Sequence, residues 1–240
     1  MKNLAITGCK GRMGQRIVVL AITDGFFEVS ALIEHPDSLH THETMNGIPI
    51  ETSIRTAEGC DILIDFTQPS GTIDNVRFCK EHGIKMVIGT TGLSSAQEQE
   101  IIDASSFIPI VFSSNMSVGV NVMFKAVELL AKSTPDTYAI RMTEAHHVHK
   151  KDAPSGTAKT LANLVHSISS KKVEGIESIR EGEIVGDHEV IFESPEDTIT
   201  IKHHAKTRDI LARGALIAAQ FLLDKSKGLF TMRDVLNLNN

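Results

Sequence analysis

The segment EAHHVHKKDAPSGTA, Glu144 to Ala158, places His146, His147, His149, Lys150 and Lys151 directly before a small-residue turn, Pro154-Ser155-Gly156-Thr157. Each of these residue types has a use in one kind of chemistry. An imidazole exchanges a proton near neutral pH, so a histidine can act as general acid or base. A lysine ammonium holds an anion as a point charge. Ser155 is a helix cap, which starts a helix at Gly156 and leaves the Gly156 and Thr157 amides as an anion site. So many donors together imply an anionic substrate with more than one anionic group, a carboxylate or a phosphate ester. Other readings stay open. Imidazoles hold zinc, although Lys150 would repel it and no Cys or acidic set completes the site. The lysines also suit a solvated face. His146 and His147 on a strand point opposite ways, so one of them can be structural. His203 and His204 suit a structural or rim position, and His40 and His42 a polar loop from Asp37 to Asn46.

A second constellation lies near the start. Gly8-Cys9-Lys10-Gly11-Arg12-Met13-Gly14 spaces its glycines as G-x-x-G-x-x-G. The first allows a tight turn, the second a close approach of backbone to pyrophosphate, and the third close packing of helix on strand. The following helix start favours phosphate. Glu34 comes 20 residues after Gly14 at the end of a second strand, where a carboxylate binds the adenosine ribose hydroxyls. An ordinary strand-to-helix turn is the alternative. The expected cofactor is NADH, NADPH or both: Glu34 repels a 2′-phosphate, while Lys10, Arg12 and His35 offset that repulsion. Gly89-Thr90-Thr91-Gly92 and Ser113-Ser114-Asn115-Met116 follow later strands at the same sheet edge. They suit a nicotinamide lying close, or are routine turns.

The elements that must position these residues are legible in outline. Strands at Leu4–Ile6, Phe27–Ile33, Asp61–Phe66, Lys85–Ile88 and Pro109–Phe112 alternate with helices at Gly11–Ile22, Pro69–His82 and Ser94–Ser105. That is the pattern of βαβ units and a parallel sheet. A helix at Val118–Lys132, apolar almost all round, reads as buried. A strand at Tyr138–Ala145 and a helix at Gly156–Ser169 follow. Three strands, Ile176–Val185, His188–Glu193 and Thr198–His204, read as antiparallel in succession, and a helix covers Ile210–Leu223. The expected architecture is α/β: a Rossmann-like doubly wound parallel sheet plus a second α+β domain with a mixed or antiparallel sheet. Residues 1–116 and 209–240 form the first domain, and 117–208 the second.

Bulk composition sets limits. The 240 residues are 41% hydrophobic and 22% charged with a net charge of −6, a folded acidic chain with no general attraction for nucleic acid or anionic membrane. The longest apolar run, Ile17 to Ile22, is far too short to span a bilayer. The amino terminus enters a strand at once and lacks a signal-peptide pattern. Three scattered cysteines fit a reducing cytosol.

The chain resembles the dihydrodipicolinate reductase family, the 4-hydroxy-tetrahydrodipicolinate reductases of lysine and diaminopimelate biosynthesis. The resemblance is carried by Gly8 with Gly11-Arg12-Met13-Gly14, Asp65-Phe66-Thr67, Gly89-Thr90-Thr91-Gly92 and Ser114 to Asn121. It continues through Glu144-Ala145-His146-His147, Lys150, Asp152 to Ala158, Arg180, Gly182, Gly186 and His188, and ends in Gly228-Leu229-Phe230 and Met232 to Leu236. It implies a cytoplasmic homotetramer that reduces a cyclic imine dicarboxylate with NADH or NADPH. Implied cofactor positions are Gly8, Cys9, Lys10, Gly11, Arg12, Met13, Glu34, His35, Gly89, Thr90, Thr91, Ser113, Ser114, Asn115 and Met116. Implied catalytic positions are His146 and Lys150; His147, Gly156 and Thr157 are implied substrate contacts. Val148 stands where the family often has Arg, His35 where NADPH-using relatives can carry Arg, and Leu211 where some members carry an aromatic.

Overall fold

The computed structural model describes residues 1–38 and 42–239, so His40 lies outside the described residues. The chain divides into two compact units, Met1–Ser117 with Asp209–Asn240, and Val118–Arg208.

The first unit is built on a parallel sheet. Its strands are β1 (Lys2–Thr7), β2 (Phe27–Ile33), β3 (Thr44–Met45), β4 (Ile48–Glu51), β5 (Ile62–Asp65), β6 (Lys85–Ile88) and β7 (Pro109–Phe112). Helices α1 (Arg12–Asp24), α2 (Pro69–His82) and α3 (Ser95–Ser105) form the crossovers. The inner strands are buried on both faces, which is why Leu4-Ala5-Ile6 and Ile62-Leu63-Ile64 read as continuous apolar runs and show no solvent exposure. β1 pairs in parallel with both β2 and β5. The chain therefore turns one way after β1 and the other way after β5. That makes a topological switch point at the carboxyl ends of β1 and β5, where open α/β sheets take ligands.

One face of this sheet is covered by α1 and by α6 (Asp209–Leu222), a helix from near the end of the chain. Cluster members Ile17, Val18, Ala215, Leu216 and Ala219 pack there around Ile6 and Ile64. On the other face α2 and α3 contribute Ile73, Val76, Cys79 and Ile101 against Leu63, Met86 and Ile110. Helix starts follow local chemistry: Pro69 occupies the first turn of α2, and Ser94 with Gln97 forms a capping box on α3. The polar stretch after β2 is not simply loop. Asn46 and Gly47, both at positive φ, turn β3 antiparallel onto β4.

The second unit holds α4 (Val118–Ser133), β8 (Ala139–His146), α5 (Gly156–Ile168), β9 (Val173–Arg180), β10 (Asp187–Glu193) and β11 (Thr198–His204). Its sheet order is β11-β10-β8-β9. The expected antiparallel succession is corrected here. β9 runs parallel to β8 and does not neighbour β10, because α5 is a crossover that returns the chain to the β8 side in the same direction. β10 is antiparallel to both β8 and β11. Met123, Val127, Leu161, Val165 and Phe192 form this unit's core. The reading of α4 as buried all round is also corrected: Leu129 and Val122 are exposed at 61% and 47%.

The chain closes the first unit with α6 (Asp209–Leu222), β12 (Gly228–Phe230) and α7 (Met232–Val235). β12 adds in parallel to β7 at the sheet edge. Gly214 of α6 lies against the backbone of Met116; a Cβ there would sit 1.7 Å from the Met116 carbonyl oxygen. Only a glycine lets the helix approach that closely.

Candidate active site

The dinucleotide constellation assembles at the switch point of the first unit. Gly8 leaves β1 at φ +68°, and a Cβ on it would meet the Phe66 carbonyl at 3.0 Å. A Cβ on Gly14 would meet the Gly8 carbonyl at 2.1 Å, so this glycine is what seats α1 on the strand. Gly11 is the N-cap of α1 and offers no side-chain cap, so the first-turn amides face outward for an anion. These features fit a pyrophosphate. Glu34 follows β2 as expected. Its carboxylate accepts from the backbone N–H of Lys10 at 2.9 Å and of His35 at 2.8 Å, which anchors it beside the glycine loop. Lys10 Nζ reaches Glu43 and the Ser38 carbonyl, both at 2.6 Å, and Arg12 is exposed. Cys9 and Met116 are core residues whose side chains are buried, and Met13 packs against the same core, so what Cys9 and Met116 offer a ligand is backbone. Burial and the nearby Glu34 charge push the Cys9 thiol up to about 11, so it is not a nucleophile.

Asp65 organises the rest of this edge. It is fully buried and accepts from Thr7 and Thr67 at 2.7 Å each, Thr72 at 2.5 Å, and Thr90 and Asn75 at 3.1 Å each. One carboxylate thus ties β1, β5, α2 and the Gly89–Gly92 turn together. Thr90 is buried in that network, while Thr91 is exposed. Gly89 lies under the Phe66 ring, 2.3 Å from where a Cβ would be. Ser113 donates to the Asn115 carbonyl at 3.0 Å, Asn115 Oδ1 accepts from the Ser117 amide at 2.9 Å, and Ser114 is exposed.

The cationic constellation assembles separately, in the second unit. His146 is the last residue of β8 and is buried, whereas His147 is half-buried and His149 exposed. Glu144 is 1% exposed on the same strand. It accepts a bidentate pair from Arg180 at 2.8 and 3.0 Å, the Ser155 amide at 3.2 Å, and the ring Nδ1 of His146. Burial alone would raise the Glu144 carboxyl, but the hydrogen bonds from Arg180 and His146 prevail and hold it at about 2. An ionised carboxylate only accepts, so Nδ1 of His146 carries its proton and Nε2 is the basic nitrogen. A Cβ on Gly186 would lie 3.1 Å from that Nε2. Burial lowers the His146 pKa, and Glu144 opposes the shift. Arg180 also donates to the carbonyls of Asp152 at 2.6 Å and Lys150 at 3.3 Å, fastening the turn that carries the candidate lysine. Lys150 Nζ meets Asp152 at 2.7 Å. Ser155 caps α5 by accepting from the Ala158 amide at 3.2 Å. Gly156 and Thr157 are the first two residues of α5. Among the described residues no three His, Cys, Asp or Glu side chains gather as a metal site.

Glu144, Arg180 and His188 carry part of the family resemblance, but no role for them is readable from the sequence. His188 is 5% exposed, its Nε2 lies 3.1 Å from Ser155 Oγ, and its ring meets His146 edge-on at 5.2 Å. Burial, with His146 adding to it, pushes its pKa down to about 4 from the ordinary 6.5. Glu144, His203 and Asp187 are the other ionisable groups that act on it. Between pH 6.5 and about 4 the unfolded chain binds the proton and the folded chain does not, so stability rises with pH across that window. Acidification through it should cost the second unit up to about 3 kcal/mol. The denaturant midpoint of wild type should fall from pH 6.5 to 4, and the fall should be smaller in His188→Gln.

A parallel sheet with a glycine loop and a carboxylate after its second strand, joined in one chain to a unit bearing a buried histidine on an ionised carboxylate, fits the class of two-unit pyridine-nucleotide oxidoreductases. The family models named dihydrodipicolinate reductase, N-terminus and C-terminus, match residues 2–116 and 119–236. The chain belongs to the dihydrodipicolinate reductase family. It is 40% identical over 263 residues to a 4-hydroxy-tetrahydrodipicolinate reductase of Nitrosomonas eutropha, with 98% of each chain covered. It is 38% identical to that of Nitrosomonas europaea, again with 98% of each chain covered. A solved structure, dipicolinate-bound dihydrodipicolinate reductase from Paenisporosarcina sp. TG-14, shares the fold with a TM-score of 0.84 at 22% identity, covering 96% of this chain and 97% of that one.

Proposed function

We propose that this chain reduces 4-hydroxy-tetrahydrodipicolinate to tetrahydrodipicolinate, the reaction its family's name describes, in lysine and diaminopimelate biosynthesis. One observation carries the reading. The Glu144–Arg180 pair fixes His146 as a directed acid-base group beside Lys150 and the Ser155-capped start of α5, in a chain that matches the family along nearly its whole length.

The reaction takes up one hydride and one proton and releases the 4-hydroxyl as water. NADH or NADPH, held by the first unit, supplies the hydride when bound. The chain's own residues do the rest. Lys150, His147 and the Gly156 and Thr157 amides grip the two carboxylates by charge-assisted hydrogen bonds. His146 delivers the proton from Nε2, and Lys150 offsets negative charge that develops on the ring. In the first unit, the glycine loop from Gly8 to Met13 would hold the pyrophosphate, Glu34 and His35 the adenosine ribose, and Gly89, Thr90, Thr91 and the Ser113–Met116 turn the nicotinamide end. Glu34→Gln should raise the NADPH-to-NADH ratio of kcat/KM by about tenfold, on the order of 1.4 kcal/mol; steady-state kinetics with both cofactors checks it.

The reading also has the second unit bind substrate and assemble a homotetramer in the cytoplasm. Three free, buried cysteines, Cys9, Cys60 and Cys79, support a reducing compartment. Among the described residues, no helix is long and apolar enough to cross a membrane. Calorimetry with pyridine-2,6-dicarboxylate tests the dianion grip. In the presence of NADH it should bind at least tenfold more tightly, by about 1.4 kcal/mol, than pyridine-2-carboxylate. Equal affinities would remove the case for two carboxylate contacts.

A further inference from the structure

The charges around His146 balance without it. On its own strand Glu144 meets Nδ1, but that carboxylate is already matched by the two-pronged guanidinium of Arg180 from β9. In the following turn the Lys150 ammonium is matched by Asp152 at 2.7 Å. From β10, His188 presents the edge of a buried ring, and Gly186 brings only backbone toward Nε2. A neutral imidazole is therefore the compensated state of this site, and a cationic one would be a surplus charge on a side chain only 11% exposed. A neutral His146 has no proton to give from Nε2. The reaction nevertheless consumes one.

We infer that the substrate itself loads the acid: arrival of its two carboxylates shifts the charge balance around His146 by two, and the imidazole takes up a proton from solvent at Nε2 as the dianion binds. Glu144 and Arg180 are then positioning residues that set the resting charge of His146, rather than catalytic ones. Arg180 keeps the acid discharged until substrate arrives, and Glu144 stabilises the imidazolium afterwards through Nδ1. The step forms one N–H bond at Nε2 and breaks the bond that held that proton in hydronium or the buffer acid, which is left as water or the buffer base; no other bond changes. Proton uptake and dianion affinity are linked, so each strengthens the other.

This inference rests on the proposed dicarboxylate site, and one titration separates the two. Pyridine-2,6-dicarboxylate, a dianion at neutral pH, is titrated into the full-length protein with saturating NADH, in buffers of different ionisation enthalpy. The slope of observed heat against buffer enthalpy counts protons. Wild type should take up about one proton per dianion bound, and no less than about half. His146→Gln should bind more weakly and take up essentially none. Arg180→Lys, which keeps the compensating charge, should retain the uptake, whereas Arg180→Met should lose it, because Glu144 then holds the proton on His146 beforehand. Tight binding with no uptake in wild type overturns the inference and leaves the functional reading standing. Undiminished uptake in His146→Gln also overturns it, by placing the proton elsewhere. Absence of saturable binding defeats the dicarboxylate site and this inference together.

Discussion

His146→Gln should lower kcat by roughly 10²–10⁴-fold, the range that a positioned general acid contributes. The affinity for NADH should be unchanged, because His146 belongs to the second unit and the glycine loop, Glu34 and the Asp65 network all belong to the first. The effect should be large because geometry leaves His146 one free nitrogen. Nδ1 is committed to Glu144, so Nε2 alone can deliver a proton, and glutamine cannot replace it. Lys150→Ala should behave differently. It removes an anion contact and a charge that stabilises the transition state, so KM rises while kcat falls. Stopped-flow and steady-state kinetics beside NADH fluorescence titrations measure both. A variant at position 146 with the turnover of wild type would take the proton away from this histidine.

The second large effect is structural. Arg180→Met takes the two-pronged guanidinium from the Glu144 carboxylate, 1% exposed, and leaves it only His146 as a cationic partner. Breaking a buried pair by removing one partner costs about 3–5 kcal/mol, far more than a surface ion pair contributes. The loss also reaches the turn that carries Lys150, because the same guanidinium donates to the Asp152 and Lys150 carbonyls. Urea unfolding should therefore show a lower midpoint, with turnover impaired even in the folded fraction. The double variant Glu144→Gln/Arg180→Met removes both charges and should recover much of the lost stability but none of the activity. If Arg180→Met alone were as stable as wild type, the buried pair would not be what holds this turn.

Much of this was legible in the residues, and the gaps have physical causes. Continuous apolar runs such as Ile62-Leu63-Ile64 announce strands covered on both faces, and Ser94, Pro69 and Ser155 mark helix starts by their capping chemistry. The β9 strand is legible in the sequence, but its neighbour is not. Alternation tells that a segment is a strand and not which strand it pairs with. The deciding signal was α5, since a helix between two strands returns the chain in the same direction. Asn46-Gly47 is a local hairpin signal inside a polar stretch that otherwise reads as loop. In α4 a run of apolar residues suggested full burial, yet Leu129 faces out. At the site, the spacing of His146, Lys150 and Gly156 in one segment pointed to an anion. The partnership of Glu144 with Arg180 could not be read, because the two lie 36 residues apart and meet only through the parallel register of β8 and β9, in which His146 aligns with Arg180.

The central claim, that this chain moves a hydride from a reduced nicotinamide to a cyclic imine dicarboxylate, is tested most directly by turnover itself. Purified protein is mixed with NADH deuterated at both C4 positions and freshly generated 4-hydroxy-tetrahydrodipicolinate while the absorbance of the reduced cofactor is followed. The expected result is rapid, substrate-dependent oxidation of the cofactor, with one deuterium recovered in the ring of the tetrahydrodipicolinate formed. Oxidation at the same slow rate with and without the imine, or a product free of deuterium, would contradict it.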